Sequence, residues 1–197
     1  MATQHSLPGC VLLASGHSRR FGQDKLLYPI EGTPLLQRAC SCVPKNCVSP
    51  RIAVVRSHEA FALCADAGFQ PLLHDGCRDD IAYSIHLGVS ALPADIPGCM
   101  FLVADQPWLS QESVRRLVES FRRCPQRIHA LSFAGRRGNP VIFPGALLPE
   151  LAMLSPGESG RTVLRRHESL LTLVSAMNAQ ELLDVDTPAD LFPDAAV

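Results

Sequence analysis

Short apolar runs alternate with segments of helical periodicity along most of the chain, and this alternation restricts the possible folds more than any other feature. The apolar runs predict strands over 11–14, 51–56, 70–73, 99–104, 129–133, 139–143 and 170–174. The periodic segments predict helices over 33–43, 59–67, 79–91, 111–123, 147–154 and 160–167. Strands that alternate with helices are joined by crossovers and lie parallel in one sheet. The sequence therefore predicts a three-layer α/β fold with a mostly parallel sheet.

Local signals predict where some of these elements begin and end. Thr33 followed by Pro34 is typical of a helix N-cap and first helical position. Ser110 is typical of the residue that caps the helix over 111–123. The segment 135–138 contains two glycines and is predicted as the loop between two short strands.

The size and charge of the chain exclude several classes of protein. Its 197 residues are most simply accommodated in one domain, 1–197. The net charge of -1 lacks the basic excess of nucleic-acid-binding proteins, and no apolar run reaches the roughly 18 residues of a membrane span. Residues 1–7 lack the charged start and apolar segment of a secretory signal. We therefore expect a cytoplasmic protein that binds neither nucleic acid nor membrane.

Eight cysteines raise the question of disulfides or a zinc site, but their spacing supports neither. No Cys-x-x-Cys pair is present, and the one local group is Cys40, Cys42 and Cys47. Several thiols, Cys99 among them, lie in apolar runs. We therefore expect reduced cysteines that pack as small hydrophobic residues.

Residues 11–26 form the segment with the clearest chemical use. An apolar strand leads into a turn of small residues, which is followed by three cations, Arg19, Arg20 and Lys25. Small residues let the backbone approach an anion, loop N–H groups donate to it, and cations neutralise it. The segment is not a Walker loop, because two residues separate Gly22 from Lys25, and not a dinucleotide loop, because Ser18 replaces a glycine. It predicts a site for a nucleoside triphosphate.

Arg20 and Lys25 are the predicted triphosphate contacts within this segment. Arg donates two parallel hydrogen bonds to phosphate oxygens, whereas Lys acts as a mobile point charge. Arg19 is expected to face solvent, because adjacent residues in a loop seldom point the same way, and a solvent position is also favoured for His17.

Carboxylates follow apolar segments at two further places. Asp105 ends the predicted strand 99–104, where it either holds Mg²⁺ at the ligand edge of the sheet or begins a turn. Asp184 and Asp186 alternate in an extended segment, which would place both carboxylates on one face. Asp186 or Thr187 could also cap the helix that follows, and both roles are compatible. Asp186 is favoured over Asp184 as a metal ligand.

The opening segment resembles Leu-Ala-(Ala/Gly)-Gly-x-Ser-x-Arg-(Met/Phe)-Gly-x-x-Lys-Leu, the first loop of the MobA-like nucleotidyltransferases. Leu-Leu after Lys25 and Gly-Thr-Pro-Leu-Leu at 32–36 are most similar to the molybdenum cofactor cytidylyltransferase branch. Further similarity lies in Asp-Gln-Pro at 105–107, Arg-Gly-Asn-Pro-Val at 137–141 and Asp-Val-Asp-Thr-Pro at 184–188. The resemblance implies a Rossmann-like nucleotidyltransferase fold and a single MobA-like NTP transferase domain.

The resemblance also implies a role for each matched residue. The implied nucleotide contacts are Leu13, Ala14, Ser15, Gly16, Ser18, Arg20, Lys25 and Ser84. The implied Mg²⁺ ligands are Asp105 and Asp186. The implied acceptor contacts are Arg137, Gly138 and Asn139. The implied catalytic residues, which offset charge on the departing pyrophosphate or hold the metal, are Arg20, Lys25 and Asp105.

Three residues depart from the family's pattern. Ser15 stands where Ala or Gly is usual against the nucleobase, and Asp80 replaces a glycine near the base. Asn139 replaces a histidine, and its amide cannot change charge near neutral pH. These departures leave the preferred base and the acceptor open.

The resemblance implies transfer of a nucleotide, with CTP favoured as donor, to the phosphate of a molybdopterin-type cofactor with release of pyrophosphate. A transient contact with a client molybdoenzyme is compatible with this reaction. Three enzymatic alternatives remain: a guanylyltransferase that uses GTP, transfer to a sugar or polyol phosphate, and a reductase of a nicotine-derived pigment. An alternative of another class is a non-catalytic protein that delivers the molybdenum cofactor.

Overall fold

The computed structural model describes residues 7–17 and 21–191, and a seven-stranded sheet forms its centre. In chain order the strands are β1 (Gly9–Ala14), β2 (Pro29–Ile30), β3 (Thr33–Pro34), β4 (Arg51–Val55), β5 (Gln70–Leu73), β6 (Gly98–Val103), β7 (Ile128–Phe133), β8 (Arg136–Pro144) and β9 (Leu171–Ser175). All but β2 and β3 belong to the central sheet, in the spatial order β5-β4-β1-β6-β8-β7-β9. Within that sheet β8 runs antiparallel to both neighbours, and the other adjacent pairs are parallel. The predicted α/β fold with a mostly parallel sheet is confirmed.

Helices cover both faces of the sheet and complete the three layers. They are α1 (Leu35–Ser41), α2 (His58–Asp66), α3 (Ile81–Ser90), α4 (Gln111–Arg123), α5 (Leu148–Ala152) and α6 (Gly160–Arg166). Successive side chains of a strand point to opposite faces. Leu12 therefore belongs to the core that contains Leu117 of α4, whereas Val11 belongs to the core that contains Ile85 of α3. Val11 and Leu12 are both fully buried.

The start of α1 departs from the sequence prediction. Thr33 and Pro34 form β3, which pairs with β2 through a turn at Glu31 and Gly32. Both turn residues have positive φ, 50° and 79°, which is the geometry of a two-residue hairpin. Pro34 is therefore extended, and α1 begins at Leu35 with no side-chain cap. The predicted cap at Thr33 and first helical position at Pro34 are wrong because the hairpin occupies both residues.

The connection between β7 and β8 is also shorter than predicted. Ala134 and Gly135 have φ of 48° and 77° and form the turn, so that Phe133 pairs with Arg136. The predicted loop over 135–138 is wrong because two residues of positive φ are enough to reverse the chain. As a result, the candidate acceptor residues lie within the first part of β8, as Arg137, Gly138 and Asn139.

The cysteines agree with the expectation of free thiols. All eight are unpaired, and the buried ones are Cys10, Cys40, Cys42, Cys64 and Cys99. Burial raises the pKa of the Cys10 thiol to about 12, so that this group stays protonated near neutral pH.

In the part of the chain that the structure describes, no helix is long and apolar enough to cross a membrane.

The topology brings distant parts of the chain to one edge of the sheet. β1, β4 and β6 are parallel neighbours, so their carboxyl ends lie side by side. Ser15 and Arg56 directly follow β1 and β4, and Asp105 closely follows β6. β8 runs the other way, so its first residues, including Arg137, approach the same edge. Ligands of open α/β sheets bind at this edge.

Candidate active site

A pocket of about 500 Å³ opens at the carboxyl edge of the sheet. It is bounded by residues 15–17 of the opening loop (15–24), by α3, by the end of β6 and by the closing segment of the chain (182–191). The predicted site residues that line it are Leu13, Ala14, Ser15, Gly16, Lys25, Ser84, Asp105 and Asp186. The predicted residues Ser18 and Arg20 lie outside the described part of the chain.

Lys25 lies where these segments meet. Its Nζ donates a hydrogen bond to the carbonyl oxygen of Val185 at 2.7 Å. The same Nζ lies 3.2 Å from Oδ2 of Asp105 and 3.5 Å from Oδ1 of Asp186. Only 12% of the Lys25 side chain is exposed. Two carboxylates and one carbonyl therefore surround a single, largely buried cation.

The closing segment is fixed against the end of β6 by its backbone. The amide of Val185 donates to the carbonyl oxygen of Asp105 at 2.9 Å, and the Val185 side chain is fully buried. Gln106 donates from Nε2 to Oδ1 of Asp184 at 2.8 Å. Burial raises the pKa of Asp184, and the nearby charge of Asp105 raises it further. Asp184 and Asp186 thus have different partners, Gln106 for the first and Lys25 for the second.

Asp190 organises the backbone that carries Asp186. Its Oδ2 accepts hydrogen bonds from the amides of Thr187 at 2.7 Å and Asp186 at 2.9 Å, and from the Thr187 hydroxyl at 3.0 Å. These bonds stabilise the ionised form and lower the pKa of Asp190. The residues after Asp186 form only a short 3-10 turn, Pro188–Leu191, in place of the predicted helix.

Two buried serines form a hydrogen bond in the wall of the pocket. The hydroxyl oxygens of Ser15 and Ser84 are 2.6 Å apart, and both residues are buried. Asp80, which replaces a family glycine, is the N-cap of α3 and accepts from the amide of Tyr83 at 2.8 Å. The Ser15 hydroxyl therefore has a partner within the protein, and Asp80 has a structural role that a glycine side chain lacks.

Arg56 is a pocket residue that the sequence analysis missed. Its Nε donates to the carbonyl oxygen of Ser15 at 2.9 Å, and its Nη2 donates to Oδ1 of Asp79 at 3.0 Å. Nε2 of His17 contacts the same carboxylate oxygen. His17 lines the pocket, and its side chain is exposed, as the sequence predicts. One signal could have identified Arg56: it directly follows a strand at the same sheet edge as Asp105.

Substitution of Arg56 by Met is expected to weaken nucleotide binding by about tenfold, or roughly 1.4 kcal/mol. The change removes both hydrogen bonds and leaves the Ser15 carbonyl and the Asp79 carboxylate without this partner. Isothermal titration with CTP and GTP measures the effect. The matched control is Arg116→Met, which removes an exposed arginine paired with Glu112 on α4. Equal affinities in the two variants would contradict a role for Arg56 in shaping the pocket.

Gly138 connects the first part of β8 to the closing segment. A Cβ atom at this position would lie 2.9 Å from Cδ2 of Leu182, so only glycine allows the observed contact without movement of that side chain. The carbonyl oxygen of Leu182 in turn accepts from Nε2 of Gln106 at 3.4 Å. Gly138 is therefore linked through Leu182 to Gln106, the residue after Asp105, although none of the three candidate acceptor residues lines the 500 Å³ pocket.

Arg137, in the first part of β8, lies near two further arginines. Burial lowers the pKa of its guanidinium, and the like charges of Arg161 and Arg165 on α6 lower it further. A negatively charged group would relieve this repulsion.

The carboxylates at the pocket suit a divalent cation that is shared with a substrate. Within residues 7–17 and 21–191, no group of three or more His, Cys, Asp or Glu side chains could hold a metal ion by itself. Mg²⁺ needs only one or two protein carboxylates when water and phosphate oxygens complete its coordination. Asp105 and Asp186 fit this requirement, because both already contact one positive charge, the Lys25 ammonium.

One known protein family matches most of the chain. Residues 10–170 match the model of the MobA-like NTP transferase domain. The chain belongs to this family. The resemblance to the MobA-like family is thereby confirmed, and membership of an NTP transferase family supports an enzyme of the nucleotidyltransferase class.

Curated MobA-like relatives match nearly the whole chain. Nicotine blue oxidoreductase of Paenarthrobacter nicotinovorans is 29% identical over an alignment of 201 positions, which spans 92% of this chain and 93% of that protein. Purine catabolism protein PucB of Bacillus subtilis is 28% identical over an alignment of 194 positions, which spans 91% of this chain and 92% of that protein. A molybdenum cofactor guanylyltransferase of Rhodobacter capsulatus is 23% identical, with 92% and 91% covered. Relatives with different named activities thus match this chain over almost their whole length.

Solved structures share the fold at low sequence identity. Rv0371c of Mycobacterium tuberculosis H37Rv has a TM-score of 0.80 and 21% identity, with 98% of this chain and 99% of that chain covered. A manganese complex of Rv0371c has a TM-score of 0.75 and 18% identity, with 98% and 100% covered. A complex of CMP:2-keto-3-deoxy-manno-octonic acid synthetase with CTP has a TM-score of 0.71 and 15% identity, with 97% and 98% covered.

Proposed function

We propose that this protein transfers a nucleotide from a nucleoside triphosphate to the phosphate of a molybdopterin-type cofactor and releases pyrophosphate. CTP is the favoured donor, so that the transferred nucleotide is CMP. The observation that carries the proposal is the convergence of Lys25, Asp105 and Asp186 in one pocket with a loop of small residues. The molybdenum cofactor guanylyltransferases among the relatives support this class of acceptor.

Each part of the pocket has a role in this reaction. The small residues of the opening loop admit the triphosphate close to the backbone, where N–H groups donate to it. Lys25 offsets the negative charge that grows on the departing pyrophosphate. Arg20, predicted from the sequence, is proposed as the second phosphate contact. Arg137, Gly138 and Asn139 are proposed to contact the acceptor beside the pocket.

Asp105 and Asp186 are proposed to hold Mg²⁺. When bound, this ion stabilises negative charge on phosphate oxygens as a Lewis acid and orients the reacting groups. The manganese complex of Rv0371c supports a divalent cation in a protein of this fold. Asp190 positions Asp186 for this role, because its carboxylate accepts a hydrogen bond from the backbone amide of Asp186.

CTP is favoured as the donor by the resemblance of 32–36 and of Leu-Leu after Lys25 to the cytidylyltransferase branch. GTP is the alternative, and the named guanylyltransferases support it. The Ser15–Ser84 pair and Arg56 are the described polar groups that we assign to the walls around the base. A redox reaction is the second candidate, because Nicotine blue oxidoreductase matches 92% of the chain.

Release of pyrophosphate is the direct test of the proposed reaction. Purified protein with Mg²⁺ and the molybdopterin-type cofactor is given CTP, GTP, ATP or UTP in separate assays. We expect pyrophosphate only when the cofactor and CTP are both present. Release with GTP and the cofactor, but with none of the other three nucleotides, would favour the guanylyltransferase alternative. Loss of NADPH absorbance with a quinone-like substrate would favour the redox candidate.

The nucleotide that is preferred as donor is also expected to stabilise the protein most against thermal unfolding. A nucleotide at about 100 times its Kd stabilises the folded state by roughly 2.7 kcal/mol, so the preferred donor raises Tm most. Absence of pyrophosphate with every nucleotide, while a known molybdenum cofactor guanylyltransferase is active in the same assay, would reject the proposed function.

A further inference from the structure

The ammonium of Lys25 contacts Asp105 and Asp186, the two carboxylates that are proposed to hold a divalent cation. It lies 3.2 Å from a carboxylate oxygen of Asp105 and 3.5 Å from one of Asp186. The carbonyl oxygen of Val185, at 2.7 Å, holds it from a third direction. A divalent ion that bound the same two oxygens would meet this positive charge at close range.

We propose that Lys25 is an internal counter-ion of the metal site, which competes with a divalent cation for Asp105 and Asp186 and yields when a triphosphate draws the ammonium away. The inference rests on the proposed function for the identity of the two metal ligands. It adds a regulatory role for Lys25 beyond phosphate binding.

The geometry permits this exchange in both directions. Lys25 has a flexible four-carbon stem and three rotatable donors, so it can change partners without movement of the backbone. Side-chain exposure is 28% for Asp105 and 53% for Asp186, so an ion can reach both carboxylates from solvent. Lys25 and residues 15–17 of the opening loop, where the triphosphate is proposed to bind, line the same pocket.

The competition has a thermodynamic consequence. Repulsion between the ammonium and a divalent ion weakens metal binding when no phosphate is present. A triphosphate that withdraws Lys25 removes this repulsion, so nucleotide and metal increase each other's affinity, as linkage requires. The carboxylates remain charge-compensated by Lys25 until the substrate and its cation arrive.

Binding of Mn²⁺ alone, followed by electron paramagnetic resonance without nucleotide, tests this inference. Lys25→Met, a neutral residue of similar length, is expected to bind Mn²⁺ at least about fivefold more tightly than the wild type. Lys25→Arg, which keeps the charge, is expected to bind as weakly as the wild type. Adding Asp105→Asn to Lys25→Met is expected to abolish the gain, which locates the ion.

The chain contains one other lysine, Lys45, which is exposed and supplies the control for net charge. Lys45→Met is expected to leave Mn²⁺ affinity unchanged. Circular dichroism establishes that each variant is folded, and Lys25→Gln replaces Lys25→Met if the latter does not fold. Equal or weaker Mn²⁺ binding by the neutral Lys25 variant overturns the inference, as does absence of Mn²⁺ binding in every variant. Pyrophosphate release, measured separately, decides the proposed function independently of either result.

Discussion

Asn in place of Asp105 is expected to lower the rate of pyrophosphate release by roughly 100-fold or more, the scale expected when one preorganised electrostatic group is removed. The amide keeps the shape of the side chain but loses the negative charge that faces Lys25 at 3.2 Å. The backbone carbonyl of residue 105 still accepts from Val185, so the closing segment remains in place. Steady-state kinetics of pyrophosphate release, with circular dichroism to establish folding, measure the effect.

The control is Asp95→Asn, which removes the same charge from an exposed loop residue before β6. This variant is expected to keep wild-type turnover. Comparison of these two variants also distinguishes the enzyme from the alternative of a delivery protein, because delivery of a cofactor needs no charge at position 105. Turnover of Asp105→Asn close to that of Asp95→Asn would remove Asp105 from the catalytic site.

Ala in place of Gly98 is expected to lower the free energy of unfolding by roughly 3 kcal/mol. A Cβ atom at this position would lie 2.5 Å from Cζ of Phe121 and 2.6 Å from the backbone oxygen of Phe143. The ring is fully packed and the oxygen belongs to the neighbouring strand β8, so neither can move without disturbing the sheet. Urea denaturation followed by circular dichroism measures the change.

Gly160→Ala is the matched control, because its Cβ would meet only ordinary contacts. The nearest atoms belong to the ring of Phe143, at 3.6 Å. Gly160 is the first residue of α6, where alanine favours the helix more than glycine does. We expect its free energy of unfolding to be unchanged or slightly higher. A Gly98→Ala protein as stable as Gly160→Ala would contradict the packing described for the start of β6.

The strands and most helices could be predicted because their signals are local. Val11 and Leu12 lie in an apolar run that suits a strand buried on both faces, and the structure buries them on opposite faces. The hairpin turns could not be predicted this way, because Glu31 and Ala134 adopt positive φ although neither is a glycine. That conformation depends on the pairing of the strands on either side, which a local pattern does not contain.

The site was only partly predictable for a similar reason. Lys25 and Asp105 stand in recognisable motifs, so their roles are implied by resemblance. Arg56 belongs to no such motif, and its importance depends on bonds to Ser15 and Asp79 that the fold creates. A candidate of this kind is recognisable only when the ends of neighbouring parallel strands are considered together.

The family, the α/β class and the small-residue loop followed by cations can be recognised without a structure, because each depends on the order and periodicity of neighbouring residues. The meeting of Lys25, Asp105 and Asp186 at one point is visible only in the folded chain. These residues are separated by long stretches of chain, and it is the parallel order of β1 and β6, with Val185 bonded to Asp105, that brings them together. Contacts of this range depend on strand order and on packing of the whole core, which no local pattern encodes.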